Sequence, residues 1–156
     1  MDLQANQGSN QQHQHQRHHQ PNLPQVSKQR KIVYMAPSKA LCEERYADWS
    51  KRLGAMNLGL EVVLVTGDGD PGDAFRDLKA AHLVVTTPEK FDSLTRRWTE
   101  NFCLFASFKL YLIDEIHLLA DESRGCCLES VLCRVKSIQR AAANVELDEA
   151  DIEVSR

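Results

Sequence analysis

The chain has 156 residues, 42% of them hydrophobic, with a formal net charge of −3. That length suits one domain with one core, and the near-balanced charge excludes a global pull toward nucleic acid, so any such contact must be local. Five Cys with no CxxC pair argue for reduced thiols in a cytosolic or nuclear compartment. No apolar run approaches ~18 residues, which excludes a membrane-spanning helix, and the N-terminus lacks the apolar core of a signal peptide.

Residues 1–30 contain nine Gln and four His among Gly, Pro and Ser. They cannot bury enough apolar surface to offset ordering and read as a disordered arm. His13, His15, His18 and His19 could chelate a metal loosely, but a solvated low-complexity arm is the stronger reading. Lys28, Arg30 and Lys31 form a small basic cluster that reads as a solvated linker.

Ile32 to Ala36 is a short apolar run stopped by Pro37, hence a buried strand. Ser38 is a good N-cap, and a helix follows to about Leu53. Cys42, Tyr46, Trp49 and Leu53 make one apolar stripe along it, which places Trp49 in the core rather than on a base-stacking surface. Glu61 to Val65 is a second strand. The loop Thr66 to Asp73 has glycines that let backbone N–H groups approach a phosphate, yet its three Asp oppose one, so a plain turn remains open. A short helix over Ala74 to Ala81 leads to a third strand, His82 to Thr86. Thr87 and Pro88 open the next helix, with Phe91, Leu94, Thr95 and Trp98 on one face. Its N-terminus can hold a phosphate, and the Thr-Thr pair would add hydroxyl donors. Arg96 and Arg97 read as solvated. Phe102, Leu104, Phe105 and Phe108 pack the approach to the fourth strand.

Lys109 to Ile113 ends that approach with four apolar residues in a row and reads as a strand buried on both faces. Asp114 and Glu115 follow at once. Open α/β folds bind ligands at the carboxyl edge of the sheet. A magnesium nucleotide needs such a pair there, one carboxylate for Mg²⁺ and one to orient and deprotonate water. Capping of the next turn is the alternative reading of the pair. Leu128, Val131, Leu132, Val135 and Ile138 mark a helix from about Ser123 to Arg140, and Cys126, Cys127 and Cys133 read as small residues on it. Residues 141–156 are acidic, with little periodicity, and read as a frayed tail.

The alternation of strands and helices predicts a parallel α/β sheet with right-handed crossovers, a three-layer arrangement. Leu112-Ile113-Asp114-Glu115-Ile116-His117-Leu118-Leu119 resembles motif II, the DExH box, of superfamily-two helicases. Ala36 to Cys42 resembles motif Ia. Thr66-Gly67-Asp68 and Thr86 to Asp92 resemble the next two nucleic-acid-contacting motifs. Asp121 to Gly125, followed by Leu128-Glu129, resembles the segment after the DExH box in the Ski-like branch. Lys31 to Pro37 and Leu94 to Trp98 are most similar to the meiotic crossover DNA helicases within that branch.

The resemblance spans Lys31 to Arg140 and implies part of a first RecA-like, P-loop NTPase-type domain. It implies ATP and Mg²⁺ as cofactors, with Asp114 holding Mg²⁺, Glu115 as general base and His117 relaying the nucleotide state. Pro37, Ser38, Lys39, Gly67, Thr87 and Pro88 fall where the family grips the backbone of one nucleic-acid strand, DNA being favoured. A nuclear location follows from the same resemblance. One departure stands out, for a P-loop reads GxxxxGK[ST] and these 156 residues contain none. Nor does anything after Arg140 resemble motif III or a second RecA-like domain. The expected description is a domain whose P-loop strand and partner helicase segments are missing, so the chain alone should not turn over ATP and strand edges should be exposed. The alternative is a non-catalytic α/β module that binds nucleic acid or a helicase partner.

Overall fold

The structure, a computed structural model, describes residues 29–67 and 70–154, except the side chains of 71 and 146–154. Expectations for residues 1–28, including the four-His group, and for Asp68 lie outside the described residues.

Four strands form one parallel sheet: β1 (Lys31–Met35), β2 (Val62–Val65), β3 (Leu83–Thr86) and β4 (Phe108–Ile113), in the order β2-β3-β1-β4. Parallel neighbours require crossover connections, and helices supply them: α1 (Lys39–Ala55), α2 (Pro71–Ala80), and the pair α3 (Pro88–Thr95) and α4 (Phe102–Ala106). A 3₁₀ turn (Ile116–Ala120) and α5 (Gly125–Val154) follow β4.

Each strand sends alternate side chains to opposite faces. Val33, Met35, Val65 and Val84 pack with α2, α3, α4 and α5 through Leu78, Phe91, Phe105 and Val131. Tyr34, Ala36, Leu83 and Val85 pack on the other face under α1, through the expected stripe of Cys42, Tyr46, Trp49 and Leu53. Trp49 is half-buried and meets Tyr34 edge-on with ring centroids 4.8 Å apart, so one side of its ring packs on the sheet. The Cys42 thiol donates to the Thr86 carbonyl, and burial pushes its pKa up.

Several sequence expectations change. β4 is not buried on both faces: Leu110 and Leu112 are 46% and 39% exposed. It pairs only with β1, no strand covers its outer edge among the described residues, and α1 packs over the other three strands. Lys31 is not a solvated linker residue. It is 2% exposed and its Nζ donates to the carbonyls of Lys79 and Ala81, closing the end of α2 against β1. α2 begins at Pro71 rather than Ala74, because the Asp70 carboxylate accepts the Gly72 N–H at 2.6 Å and Pro suits the first helical position. α5 runs to Val154 rather than ending near Arg140; Ala142 is buried and the Ala run there favours helix.

Candidate nucleotide and nucleic-acid site

Because all four strands are parallel, the residues that follow them emerge at one edge of the sheet. These are Pro37–Lys39 after β1, Thr66–Gly67 after β2, Thr87–Pro88 after β3 and Asp114–Glu115 after β4. The strand order places Gly67 at one end of this edge and Asp114 at the other, with the β1 and β3 loops between them.

The Asp114 N–H donates to the Met35 carbonyl at 2.9 Å, extending the ladder one residue beyond β4. Its side chain is fixed from two sides. The Tyr34 hydroxyl donates to Oδ2 at 2.7 Å and the Glu115 N–H donates to Oδ1 at 3.0 Å. Burial, and then the bond to Asp114, push the Tyr34 pKa up to about 12. An open groove beside this carboxylate is lined by Tyr34, Arg45, Trp49, Leu112 and Asp114. Each Asp114 oxygen keeps a free lone pair.

Glu115 has φ 53° and ψ 46°, a left-handed conformation that costs a non-Gly residue energy. The turn leaves its carboxylate exposed, with Oε2 3.0 Å from Nδ1 of His117. Asp114, Glu115 and His117 are therefore brought together on one turn.

The six residues assigned to strand contact divide by exposure. Ser38 and Lys39 are exposed, although the Ser38 hydroxyl also caps α1 by accepting the Leu41 N–H at 3.3 Å. Gly67 has φ 76°, which favours glycine, and a Cβ there would lie 3.7 Å from Lys39 Nζ, so the lysine arches over the β2 loop. Pro37 is half-buried. Thr87 and Pro88 are buried and shape the loop rather than face solvent. The expected Thr-Thr donor pair is not available: Thr86 is fully buried and donates to the Val65 carbonyl at 2.6 Å, while Thr87 is buried, accepts the Lys90 N–H as the cap of α3 and directs its own O–H to Glu89.

Three further residues belong to this edge. Tyr34 was legible only as a core residue, since the β1–β4 register that brings it to Asp114 is a tertiary fact. Glu89 and Arg124 meet across 35 residues of chain, with Arg124 Nη2 2.8 Å from Glu89 Oε1. Burial opposes ionisation of Glu89, but its own backbone N–H, Arg124 and Thr87 outweigh it and hold the carboxyl below its usual range. Pro37, Pro88, Glu89, Asp114 and Arg124 line one small depression. Behind it, Asp92 is buried and gripped by Arg96 and Arg134 at 2.7 and 2.8 Å, which pins α3 to α5. Arg96 is thus paired rather than simply solvated.

Comparison with known proteins bears on the family and the fold. The chain is 49% identical over 108 residues to "Probable ATP-dependent DNA helicase HFM1" of Xenopus tropicalis, and 45% identical over 116 residues to its Homo sapiens namesake. It is 40% identical over 108 residues to "ATP-dependent DNA helicase MER3" of Saccharomyces cerevisiae. These matches cover 69%, 74% and 69% of this chain, which spans 8%, 8% and 9% of the length of those relatives. The crystal structure of the DUF1998 helicase MrfA superposes with a TM-score of 0.64 at 25% identity, covering 75% of this chain and 18% of that one. A second MrfA structure, bound to DNA and AMPPNP, superposes equally well at 26% identity over 73% of this chain and 16% of that one. The parallel four-stranded sheet with flanking helices is accordingly that of part of a helicase RecA-like domain. A family model described as DEAD/DEAH box helicase matches residues 13–146, and with the strand-end motifs on one sheet edge the chain belongs to that family.

Proposed function

We propose that this chain is part of an ATP-dependent DNA helicase and contributes the carboxylate pair of the ATPase site and three loops that grip a single DNA strand. One observation carries the reading: Asp114 is anchored at the same sheet edge from which Lys39 and Gly67 emerge. The donor set fits a magnesium nucleotide. Asp114 retains acceptor capacity toward an open groove. Mg²⁺ with a nucleotide takes one or two protein carboxylates, with phosphates and water completing its shell. When bound, the magnesium nucleotide supplies the scissile phosphate and neutralises its charge.

This chain's residues do the rest. Tyr34 and the Glu115 N–H orient Asp114. Glu115, exposed at the turn, accepts the proton of the attacking water, and His117 beside it senses that change. Lys39, Ser38 and the Gly67 backbone contact phosphates along one strand, assisted by the two loops that Pro37 and Thr87–Pro88 shape. Backbone contact of this kind carries no sequence information, as a motor stepping along any sequence requires. The likeness to HFM1 and MER3, together with the motif resemblance, supports a role in meiotic recombination in the nucleus. The absence of GxxxxGK[ST] from these residues favours the second reading, a nucleic-acid-binding module without turnover of its own.

The test is single-stranded DNA binding by fluorescence anisotropy between about 50 and 200 mM salt. Affinity should fall as salt rises, with a log–log slope of about −0.7 for each phosphate a cation neutralises, and Lys39→Ala should flatten that slope by about 0.7. Binding that ignores salt, or a Lys39→Ala slope equal to wild type, would overturn the strand-gripping assignment. ATP turnover by this chain alone should equal the blank, and turnover abolished by Glu115→Gln would contradict that.

A further inference from the structure

Arg124 has no part in the chemistry just described, yet it joins three segments. Its Nη2 donates to the Pro37 carbonyl at 2.6 Å and to Glu89 Oε1 at 2.8 Å, and its Nε donates to the same oxygen at 3.1 Å. Pro37 belongs to the loop after β1, and Glu89 lies in the first turn of α3, after β3. Arg124 itself is held from behind. Asp121 Oδ1 accepts the N–H groups of Ser123 and Arg124, both at 2.9 Å, and the Gly125 N–H donates to the Asp121 carbonyl at 2.8 Å. Gly125 in turn lies against the Leu118 and Leu119 carbonyls of the 3₁₀ turn that bears His117. A rigid run therefore connects the turn of the Asp-Glu pair to both central loops of the edge.

We propose that Arg124 is a positioning residue that makes the β1 and β3 loops move as one body with the His117 turn. Nη2 alone spans the carbonyl and the carboxylate, and Nε adds a second, coplanar donor to the same carboxylate oxygen, a rigid pair of donors that a lysine ammonium lacks. An isolated surface ion pair would contribute little; here the same group also satisfies a carbonyl 87 residues away. The inference rests on the proposed function for its purpose, but the tie can be tested without it.

The experiment compares wild type with Arg124→Met and Arg124→Lys, the lysine keeping charge but losing the fork. Hydrogen exchange is followed at the Leu41, Cys42 and Lys90 amides, and single-stranded DNA affinity is measured across salt. Both variants should speed exchange at these amides and weaken DNA binding about 10-fold, the equivalent of one charged hydrogen bond, with the salt slope unchanged. If Arg124→Met does not fold, Arg124→Lys decides. Unchanged exchange would overturn the tie. Unchanged exchange with a slope lower by about 0.7 would make Arg124 a phosphate contact instead. A wild-type chain that binds no DNA would sink the proposed function, while the exchange arm still decides the tie.

Discussion

At Gly125 the start of α5 lies directly against the backbone of the turn after Asp114–Glu115, and replacing it by Ala should loosen that join measurably. A Cβ there would overlap the Leu119 carbonyl oxygen and lie 3.0 Å from its carbon and 3.3 Å from the Leu118 oxygen. Ordinary heavy-atom contact is roughly 3.5 Å or more. All three atoms are backbone, so no side chain can swing aside, and the 3₁₀ turn must separate from α5. The bond from the Gly125 N–H to the Asp121 carbonyl and the Asp121 side-chain cap lie across that seam. Losing them costs about 1 kcal/mol each. Overpacking costs a further 1–3 kcal/mol or so, and the better helix propensity of Ala returns less than about 1 kcal/mol. The net expectation is a loss of about 2–4 kcal/mol, read as a lower urea midpoint with unchanged m-value by circular dichroism. Gly72→Ala, whose Cβ would meet only the Asp70 carboxylate at 3.1 Å, should cost less. A Gly125→Ala protein as stable as wild type would show that the turn and α5 slide freely, and would refute the rigid connection argued for Arg124.

Asp92→Ala removes the acid shared by Arg96 and Arg134. Breaking a buried pair costs about 3–5 kcal/mol, but Arg96 is largely solvent-exposed, so about 2 kcal/mol is expected at pH 7. Burial opposes the Asp92 charge, yet Arg134 and Arg96 hold its pKa below the usual value. Its contribution is therefore full above the unfolded pKa of about 3.9 and is lost as pH falls toward the folded value. Urea titrations should show the gap between wild type and Asp92→Ala closing below about pH 4; a gap that widens in acid would contradict this sign. Phe105→Ala should cost about 3–5 kcal/mol, because its fully buried ring meets Phe75, Phe91 and Phe108 and leaves a cavity that strands cannot collapse into. A loss under about 1 kcal/mol by chemical denaturation would show that the α4 end of the core repacks.

Local patterns were readable wherever a side chain's neighbours along the chain decide its state. Ser38 and Thr87 cap the helices that follow them because a hydroxyl before a helical run meets free N–H groups within its own turn. The stripe from Cys42 to Leu53 lies on one face for the same local reason. The Asp70-Pro71 start of α2 had a local signal too, but its glycines and acids read more strongly as loop.

Long-range choices were not readable in this way. That Lys31 points into the fold rather than to solvent depends on two carbonyls at the far end of α2, about 50 residues on. That Leu110 and Leu112 are exposed depends on strand order, which no period within β4 encodes. Tyr34 reaches Asp114 only through the parallel register of β1 against β4.

The amino-acid sequence alone determined the four strands, their alternation with helices, the acidic pair after the fourth strand and the motif likeness that marks a helicase, because these are properties of residues close in the chain. Only the tertiary structure decided that β4 is an edge, that Thr86 has no hydroxyl to offer, and that Arg124 binds Pro37 and Glu89. Each of those depends on which distant backbone groups the packed sheet brings within hydrogen-bonding distance.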